Sequence, residues 1–233
     1  MRLTKFLNER KGIYGKGISF VDIDMTLFRT FAKIYVVDKE TGEVKKKLDN
    51  QQFNSYTLQP DEEFDFREFS DANLFRGTSQ PIIPTIERIK RMINMLKKNT
   101  RGSKIIFLTA RADFDNKREF LNAFKDYGID IDFRPEVYIE RAGNLKSGTV
   151  PQRKERIILD YLKKENYRRV RMFDDHTGNL KQFSEIADKL PEDIIENVRE
   201  EYNIPEDEVV MEFYALHVGE SGKLSLYEKK DVY

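Results

Sequence analysis

Two aspartates stand two residues apart in the stretch ISFVDIDMTLF, where Asp22 and Asp24 follow the apolar run that begins at Ile18. Residues i and i+2 of an extended chain share one face, so both carboxylates can approach the same reacting group. One carboxylate can attack as a nucleophile while the other donates and then accepts a proton. The spacing therefore indicates covalent catalysis, with Asp22 as nucleophile and Asp24 as general acid and base.

Further polar side chains stand where other apolar runs end, or early in a predicted helix. They are Thr109, Arg111, Lys154, Asp174 and Asp175. The carboxyl ends of neighbouring parallel strands meet at one edge of a sheet, and ligands bind there. We therefore expect four carboxylates, one hydroxyl and two cations to converge at this edge.

A cluster of this kind needs a cation. Two carboxylates about 4 Å apart repel each other by about 4 kcal/mol at an effective dielectric constant of about 20. The chain has no cysteine and 2 histidines, so oxygen ligands dominate and Mg²⁺ is the favoured ion. A cation among carboxylates, with Lys and Arg nearby, suits a phosphoryl group. Mg²⁺ is the predicted cofactor and a phosphomonoester the predicted substrate.

Apolar runs alternate with helical patterns along the chain, and this alternation predicts an α/β fold with a three-layer, Rossmann-like sheet of mostly parallel strands. Strands are expected at 18–23, 104–108, 137–139, 170–173 and 208–216, and helices at 84–98, 116–127 and 151–164. The last helix has a capping-box pattern, with Thr149 at the cap and Gln152 three residues later. Residues 228–233 are expected to form a loose tail.

One interval between predicted strands is too long for a simple crossover. A βαβ unit needs about 30 residues, but about 80 separate the runs 18–23 and 104–108. We predict that residues 29–80 form a cap, with a β-hairpin at 32–48, inserted into a catalytic core of 1–28 and 81–233. Six aromatic residues of the cap are expected to form its own small core rather than a base-stacking platform. They are Phe53, Tyr56, Phe64, Phe66, Phe69 and Phe75.

Four segments together resemble, in order, the motifs of the haloacid dehalogenase-like (HAD) phosphohydrolases. They are DIDMT at 22–26, FLTAR at 107–111, Lys154, and FDD at 173–175. The resemblance covers roughly 16–28 and 84–185. It implies a HAD-like core with a cap after the first strand, and a phosphatase that acts through an aspartyl phosphate and Mg²⁺.

The resemblance also implies a role for each matched residue. Asp22 is expected to be the nucleophile and a metal ligand, and Asp24 the acid and base, with its backbone carbonyl facing the metal. Asp175 matches the direct metal ligand and Asp174 the residue behind it, although the two assignments could be exchanged. Two further roles follow: Thr109 binds phosphoryl oxygens, and Lys154 neutralises the aspartyl phosphate. Lys146 is the competing lysine, and Thr26 is a further substrate-binding candidate.

A narrower likeness concerns the 3′-phosphatase domain of bacteriophage polynucleotide kinase/phosphatases, in which Arg111 would hold the phosphate. The kinase half is missing, because the glycine-rich segment 12–17 lacks the phosphate-loop pattern. Nucleotides or other small phosphomonoesters are the first substrate expectation, and polynucleotide 3′-ends the second. Acidic residues of the predicted cap count against a long polyanion: Asp61, Glu62, Glu63, Asp65, Glu68 and Asp71.

Bulk properties restrict the remaining classes. The 41 basic residues balance the 41 acidic residues, so nucleic acid would need a local basic patch. Residues 1–12 contain no apolar run long enough for a signal peptide, and no segment reaches the length of a membrane span. These features predict a cytoplasmic protein without membrane contact, and they do not define its oligomeric state. A phosphotransferase and a non-catalytic binding module on the same fold are the alternatives to a hydrolase.

Overall fold

The computed structural model describes residues 14–96, 102–132 and 136–233. The N-terminal stretch without a predicted signal peptide, the start of the segment 12–17 and the end of the helix expected at 84–98 lie outside these ranges. The strands are β1 (Gly17–Val21), β2 (Phe28–Arg29), β3 (Ile34–Asp38), β4 (Val44–Leu48), β5 (Glu62–Asp65), β6 (Gln80–Pro81), β7 (Lys104–Thr109), β8 (Val137–Arg141), β9 (Arg169–Asp174), β10 (Met211–Val218) and β11 (Leu224–Val232). The α-helices are α1 (Asn50–Ser55), α2 (Arg67–Ser70), α3 (Ala72–Thr78), α4 (Ile83–Leu96), α5 (Lys117–Lys125), α6 (Val150–Lys164), α7 (Thr177–Asp188) and α8 (Glu192–Tyr202).

A six-stranded sheet in the order β11-β10-β9-β1-β7-β8 forms the centre of the fold. All neighbouring strands are parallel except β10 and β11, which pair antiparallel. The chain moves outward from β1 through β7 to β8, then returns to the other side of β1 for β9 and β10. The order therefore reverses between β1 and β9, and the crevice at such a switch point is where open α/β sheets bind ligands.

Helices cover both faces of this sheet, so the α/β class and the mostly parallel sheet are confirmed. One core cluster joins α3, α4 and α5 to one face, and another joins α6, α7 and α8 to the other. All five residues of β1 are buried, as expected for a parallel strand covered on both sides. Across the described ranges, no helix has both the length and the apolar character needed to cross a membrane.

The predicted loose tail at 228–233 is wrong. These residues belong largely to β11, which pairs with β10 from Met211–Val232 to Val218–Leu224. The strand was not recognised because its sequence, LSLYEKKDV, has charged residues where an apolar face is expected. Lys and Glu are common on strands at the edge of a sheet, since charge there discourages pairing with another molecule.

The segment inserted after β1 contains a second, smaller sheet in the order β4-β3-β5. Strands β3 and β4 pair antiparallel, which is the hairpin predicted over 32–48. Short strands β2 and β6 pair antiparallel where the chain leaves and re-enters the main sheet region, with Phe28 opposite Pro81. We use "cap" for residues 29–80, the range predicted from the sequence.

Five of the six cap aromatics divide between two cores, and the sixth, Phe66, is exposed. Phe53, Tyr56, Phe64 and Phe69 pack against the buried residues of the small sheet, as expected. Phe75 does not: it contacts Phe28, Phe114 and Phe120 in the main core. Helix α3, which carries Phe75, therefore packs against the core although it lies within the cap range. The expectation for Phe75 was wrong because helix α3 turns its aromatic face toward α5 rather than toward the small sheet.

Candidate active site

The pairing register of β1, β7 and β9 places the ends of these strands side by side, and most of the predicted site residues lie at or just after those ends. Val21 pairs with Phe107 on one side and with Phe173 on the other. The backbone N–H of Asp22 then donates to the carbonyl of Phe173 at 2.9 Å, which holds the end of β1 against β9. Residues that follow these three strands therefore surround one crevice.

A tight turn follows β1 and orients the second aspartate. Met25 has a positive φ of 58°, which is uncommon for a residue with a side chain. Its N–H donates to the Phe28 carbonyl at 2.7 Å, while the N–H groups of Leu27 and Phe28 both donate to Ile23. These bonds reverse the chain directly after Asp24, and its carboxylate remains beside that of Asp22.

Lys154 connects two strands of the site. Its Nζ lies 2.6 Å from Oδ1 of Asp22 and 2.7 Å from Oδ2 of Asp174. The lysine is 2% exposed and Asp174 is 0% exposed, so this ion-pair triad is enclosed by protein. Helix α6 carries Lys154, and the capping box predicted for Thr149 and Gln152 is present at its start. Lys146, the competing lysine, is exposed and does not line the crevice.

Asp174 has both carboxylate oxygens occupied by N–H donors. Its Oδ1 accepts from the backbone of His176 at 2.8 Å, and Asn179 Nδ2 lies 3.0 Å from each oxygen. Sequence reasoning missed Asn179, although a signal was present. Asn179, Phe183 and Ile186 share the i, i+4, i+7 stripe of α7 that faces the core, so a polar residue there requires a polar partner.

Asp175 is held by Thr26 in a reciprocal pair of hydrogen bonds. The Thr26 hydroxyl donates to Oδ1 of Asp175 at 3.1 Å and accepts from the Asp175 backbone N–H at 3.0 Å. Thr26 is 0% exposed and lies outside the lining of the crevice. The structure thus gives Thr26, a substrate-binding candidate in the sequence, a position behind Asp175. The second oxygen of Asp175 is left to face the crevice.

Arg111 clamps Asp24. Its Nε lies 3.1 and 3.0 Å from the two Asp24 oxygens, and its Nη2 lies 2.7 Å from Oδ1. Thr30 donates to Oδ1 at 2.7 Å and Thr109 to Oδ2 at 3.3 Å. The remaining Arg111 nitrogen, Nη1, donates to the carbonyl of Phe69 in the cap at 2.9 Å. Arg111 therefore joins the core aspartate to the cap, a connection that the sequence did not predict.

The environments of the carboxyl groups shift their pKa values in opposite directions. Burial raises the pKa of Asp22 well above its usual value, and the neighbouring carboxylates add to this rise, while Lys154 opposes it. Burial and the charge of Asp174 raise the pKa of Asp175 to about 6. Burial would also raise the pKa of Asp24, but the charge and hydrogen bonds of Arg111 outweigh it and lower that pKa.

Lys154 experiences the same balance in the opposite sense. Burial alone would lower the pKa of its ammonium group, but the charges of Asp174 and Asp22 raise it above its usual value. Lys154 is therefore charged at neutral pH. One ammonium group faces the carboxylates of Asp22, Asp174 and Asp175, so the cluster keeps an excess of negative charge when all three are ionised.

The residues present suit a divalent cation. Asp22, Asp174 and Asp175 each offer a carboxylate oxygen within 4.8 Å of the others. These are hard oxygen ligands of the kind that Mg²⁺ and Ca²⁺ prefer. In addition, the side-chain oxygen of Asn179 is buried beside this cluster and has no hydrogen-bond partner within 14–96, 102–132 and 136–233. Asp22 and Asp175 have oxygens free of N–H donors, so they are the better placed direct ligands.

The cluster opens into a cavity of about 510 Å³ between core and cap. Residues of the core and of the cap both line it; besides the carboxylates they include Arg153, His176, Phe53, Phe66 and Phe69. Of the predicted residues, Thr109 is 0% exposed and lies behind Asp24. The cavity gives the carboxylates access to a small molecule or to the end of a larger one.

Comparisons of the chain with protein-family models, with curated proteins and with solved structures found no match. The class of the site is therefore defined by its own geometry: an enclosed group of carboxylates and cations at the switch point of a parallel sheet.

Proposed function

We propose that this protein is a Mg²⁺-dependent phosphomonoesterase that forms an aspartyl phosphate, as the HAD phosphohydrolases do. The observation that carries this proposal is the enclosed contact of Lys154 with both Asp22 and Asp174, three residues that line one cavity. Carboxylates with a raised pKa, next to a lysine and a clamped second aspartate, suit the transfer of a doubly charged group. The four motif segments lie at this one edge of the sheet, which supports the resemblance.

In the proposed first half-reaction, a carboxylate oxygen of Asp22 attacks phosphorus and the bond from phosphorus to the ester oxygen breaks. Asp24 gives its proton to the departing alkoxide, so that the alcohol leaves neutral. In the second half, Asp24 removes a proton from water, the water oxygen attacks phosphorus, and the bond to Asp22 breaks. Phosphate leaves, and Asp24 is protonated again for the next cycle.

The protein supplies charge and position for both halves. Lys154 offsets the negative charge that Asp22 and the phosphoryl group share, and Asp174, itself held by Asn179, keeps Lys154 in place. Asp175, fixed by Thr26, would bind Mg²⁺ together with Asp22. When bound, Mg²⁺ neutralises phosphoryl oxygens and lowers the free energy of the charged transition state. The cap excludes bulk water from the cavity, which strengthens these interactions.

Turnover of a generic aryl phosphate tests this proposal. Phosphate release should require Mg²⁺ and stop on addition of EDTA. Asp22→Asn should abolish release, while circular dichroism and the melting temperature show a folded protein. Asp160→Asn, an exposed aspartate on α6, is the matched control and should keep full activity. Full activity of Asp22→Asn would contradict the covalent mechanism, and release of phosphate to an added alcohol rather than to water would define a phosphotransferase.

Polynucleotide 3′-ends form a second candidate substrate, because the acidic residues of the cap are largely engaged within it. Lys45 pairs with Asp61, Tyr56 donates to Glu62 and Arg67 pairs with Asp65. Two more act within the cap as well: Glu68 accepts from Lys33 N at 2.6 Å, and Asp71 caps α3, whereas Glu63 is exposed. The ion pairs with Lys45 and Arg67 reduce the charge that the cap presents to a polyanion, and they weaken the main objection from the sequence.

A further inference from the structure

One cation in the cavity has no carboxylate partner among the residues that the structure describes. The Lys and Arg side chains that line the cavity in the described part of the chain are Arg111, Arg153 and Lys154. Arg111 is bound to Asp24, and Lys154 to Asp22 and Asp174. Arg153 makes one long bond, from Nη1 to the carbonyl of Leu145 at 3.3 Å, and its buried Nε has no hydrogen-bond partner.

The position of Arg153 separates it from the reaction centre. Arg153 and Lys154 are consecutive in α6, so their side chains leave the helix about 100° apart. Lys154 points to the carboxylates, whereas Arg153 bonds to the Leu145 carbonyl and lines the same cavity together with Val150 and Gly143. The N-terminus of α6 adds a partial positive charge on the same side. A group bound at Arg153 would belong to the part of the substrate that leaves.

An aromatic wall borders the same cavity on the cap side. Phe53, Phe66 and Phe69 all line it. Phe66 is 46% exposed, and its ring lies 5.7 Å from Phe53 and 6.0 Å from Phe69, both in edge-to-face contact. Neighbouring rings thus fix the orientation of an aromatic side chain that is only half covered. A planar ring of a substrate can stack on an exposed aromatic face of this kind.

We propose that Arg153 and Phe66 determine specificity for a phosphomonoester whose leaving group carries both an aromatic ring and a second anionic group. A nucleotide with a further phosphate beside the one that is removed has this chemistry. This inference rests on the proposed function, since it concerns the leaving-group half of the same cavity. Arg153 binds the second anion, Phe66 stacks on the base, and neither residue takes part in the transfer of the phosphoryl group.

Four substrates separate the two contributions. Glycerol 1-phosphate has neither feature, 3-phosphoglycerate has a second anion, adenosine 3′-monophosphate has a ring, and adenosine 3′,5′-bisphosphate has both. Measured as kcat/KM, Arg153→Gln should lose about 10- to 100-fold on the two substrates with a second anion, because hydrogen bonds to charged groups are strong. It should change less than about twofold on the other two. Arg156→Gln, which removes an exposed arginine bonded to Ser147, is the matched control. Its kcat/KM should equal that of wild type on all four substrates.

Phe66→Leu tests the ring. Leucine keeps an apolar side chain next to Phe53 and Phe69 but offers no stacking surface, and kcat/KM should fall about tenfold on the two adenosine substrates alone. A 3′-phosphorylated dinucleotide distinguishes a strand end from a free bisphosphate. If Arg153→Gln lowers kcat/KM for the dinucleotide as strongly as for the bisphosphate, the second anion is recognised as a phosphodiester. If the variant lowers kcat/KM for the bisphosphate alone, the second anion is recognised as a terminal phosphate.

An equal loss of Arg153→Gln on all four substrates would overturn the inference, because the residue would then act on the reacting phosphate or on the fold. Equal activity of wild type and Arg153→Gln on the bisphosphate would overturn it as well. The proposed function fails separately, if the wild-type protein with Mg²⁺ hydrolyses neither glycerol 1-phosphate nor any other substrate in the set. In that case, binding of the bisphosphate to wild type and to Arg153→Gln, measured by calorimetry, still tests the anion site: equal affinity would exclude it.

Discussion

Replacement of Lys154 by methionine removes the positive charge from a group of carboxylates that water barely reaches. The ammonium lies 2.6 Å from Asp22 and 2.7 Å from Asp174, and each contact is worth about 6 kcal/mol at an effective dielectric constant of about 20 before desolvation is subtracted. Loss of one partner from a buried ion pair costs about 3–5 kcal/mol, because the other charge stays buried. For a chain of this length the melting temperature should therefore fall by roughly 6–20 °C at pH 7.

The loss should depend on pH in a defined direction. Burial already raises the pKa of Asp22 in the folded protein, and without Lys154 that pKa rises further. A carboxyl group whose folded pKa is raised destabilises the fold while it is ionised, above that pKa, and the penalty disappears as the pH falls through it. The difference in unfolding free energy between wild type and Lys154→Met should thus be largest near pH 8 and shrink toward pH 5.

Urea unfolding followed by circular dichroism, at pH 5 and at pH 8, measures this difference. Lys163→Met is the matched control, because Lys163 is an exposed lysine on the same helix and should change stability by less than about 1 kcal/mol. Mg²⁺ should stabilise Lys154→Met more than wild type, since the variant leaves more uncompensated carboxylate charge at the site. If Lys154→Met is as stable as Lys163→Met, or loses as much at pH 5 as at pH 8, the electrostatic reasoning is refuted.

Three further predictions concern the turn and the metal. Because the pKa of Asp175 is raised to about 6, a proton competes with Mg²⁺ there, and calorimetry should show weaker Mg²⁺ binding as the pH falls below that value. Thr26→Val should weaken Mg²⁺ binding by about 10- to 100-fold. Thr30→Val, which loses a bond to Asp24, should leave Mg²⁺ binding unchanged. Equal effects of the two variants would contradict the role of Thr26 as the residue that positions Asp175. Met25→Gly should be at least as stable as wild type in a thermal melt, but Met25→Val should lose about 1–2 kcal/mol, because a β-branched residue disfavours positive φ.

Much of the core could be predicted from the sequence because its signals are local. The buried strands β1 and β7 are short apolar runs, and the capping box at Thr149 marks the N-terminus of α6. Because these strands are parallel, the residues that follow them had to meet at one edge, and the contact of Lys154 with Asp22 and Asp174 follows from that topology.

Other features depend on contacts that no local pattern encodes. The clamp of Arg111 on Asp24 is completed by the Phe69 carbonyl, 42 positions away in the chain, and no periodicity relates those residues. The same holds for Phe75, whose place in the main core depends on the direction of α3. Strand β11 does not show the alternation of apolar and polar residues that predicts a strand, because it lies at the sheet edge, where its charged side chains reach water.

The structure also gives a physical reason for two aspartates at this spacing rather than one. Asp22 has a raised pKa and Asp24 a lowered one, yet the proposed chemistry needs Asp22 ionised for attack and Asp24 protonated for the leaving group. Both pKa shifts therefore oppose the proposed roles. Under the proposed function, a cation beside Lys154 would lower the pKa of Asp22, and a phosphate dianion that draws the Arg111 charge away from Asp24 would raise the pKa of Asp24. Each shift would thus be opposed by a component of the proposed reaction. Because Arg111 also holds the Phe69 carbonyl, its movement toward a phosphate would loosen the cap at the same moment. The turn at Met25 places the two carboxylates against different cations, Asp22 against Lys154 and Asp24 against Arg111.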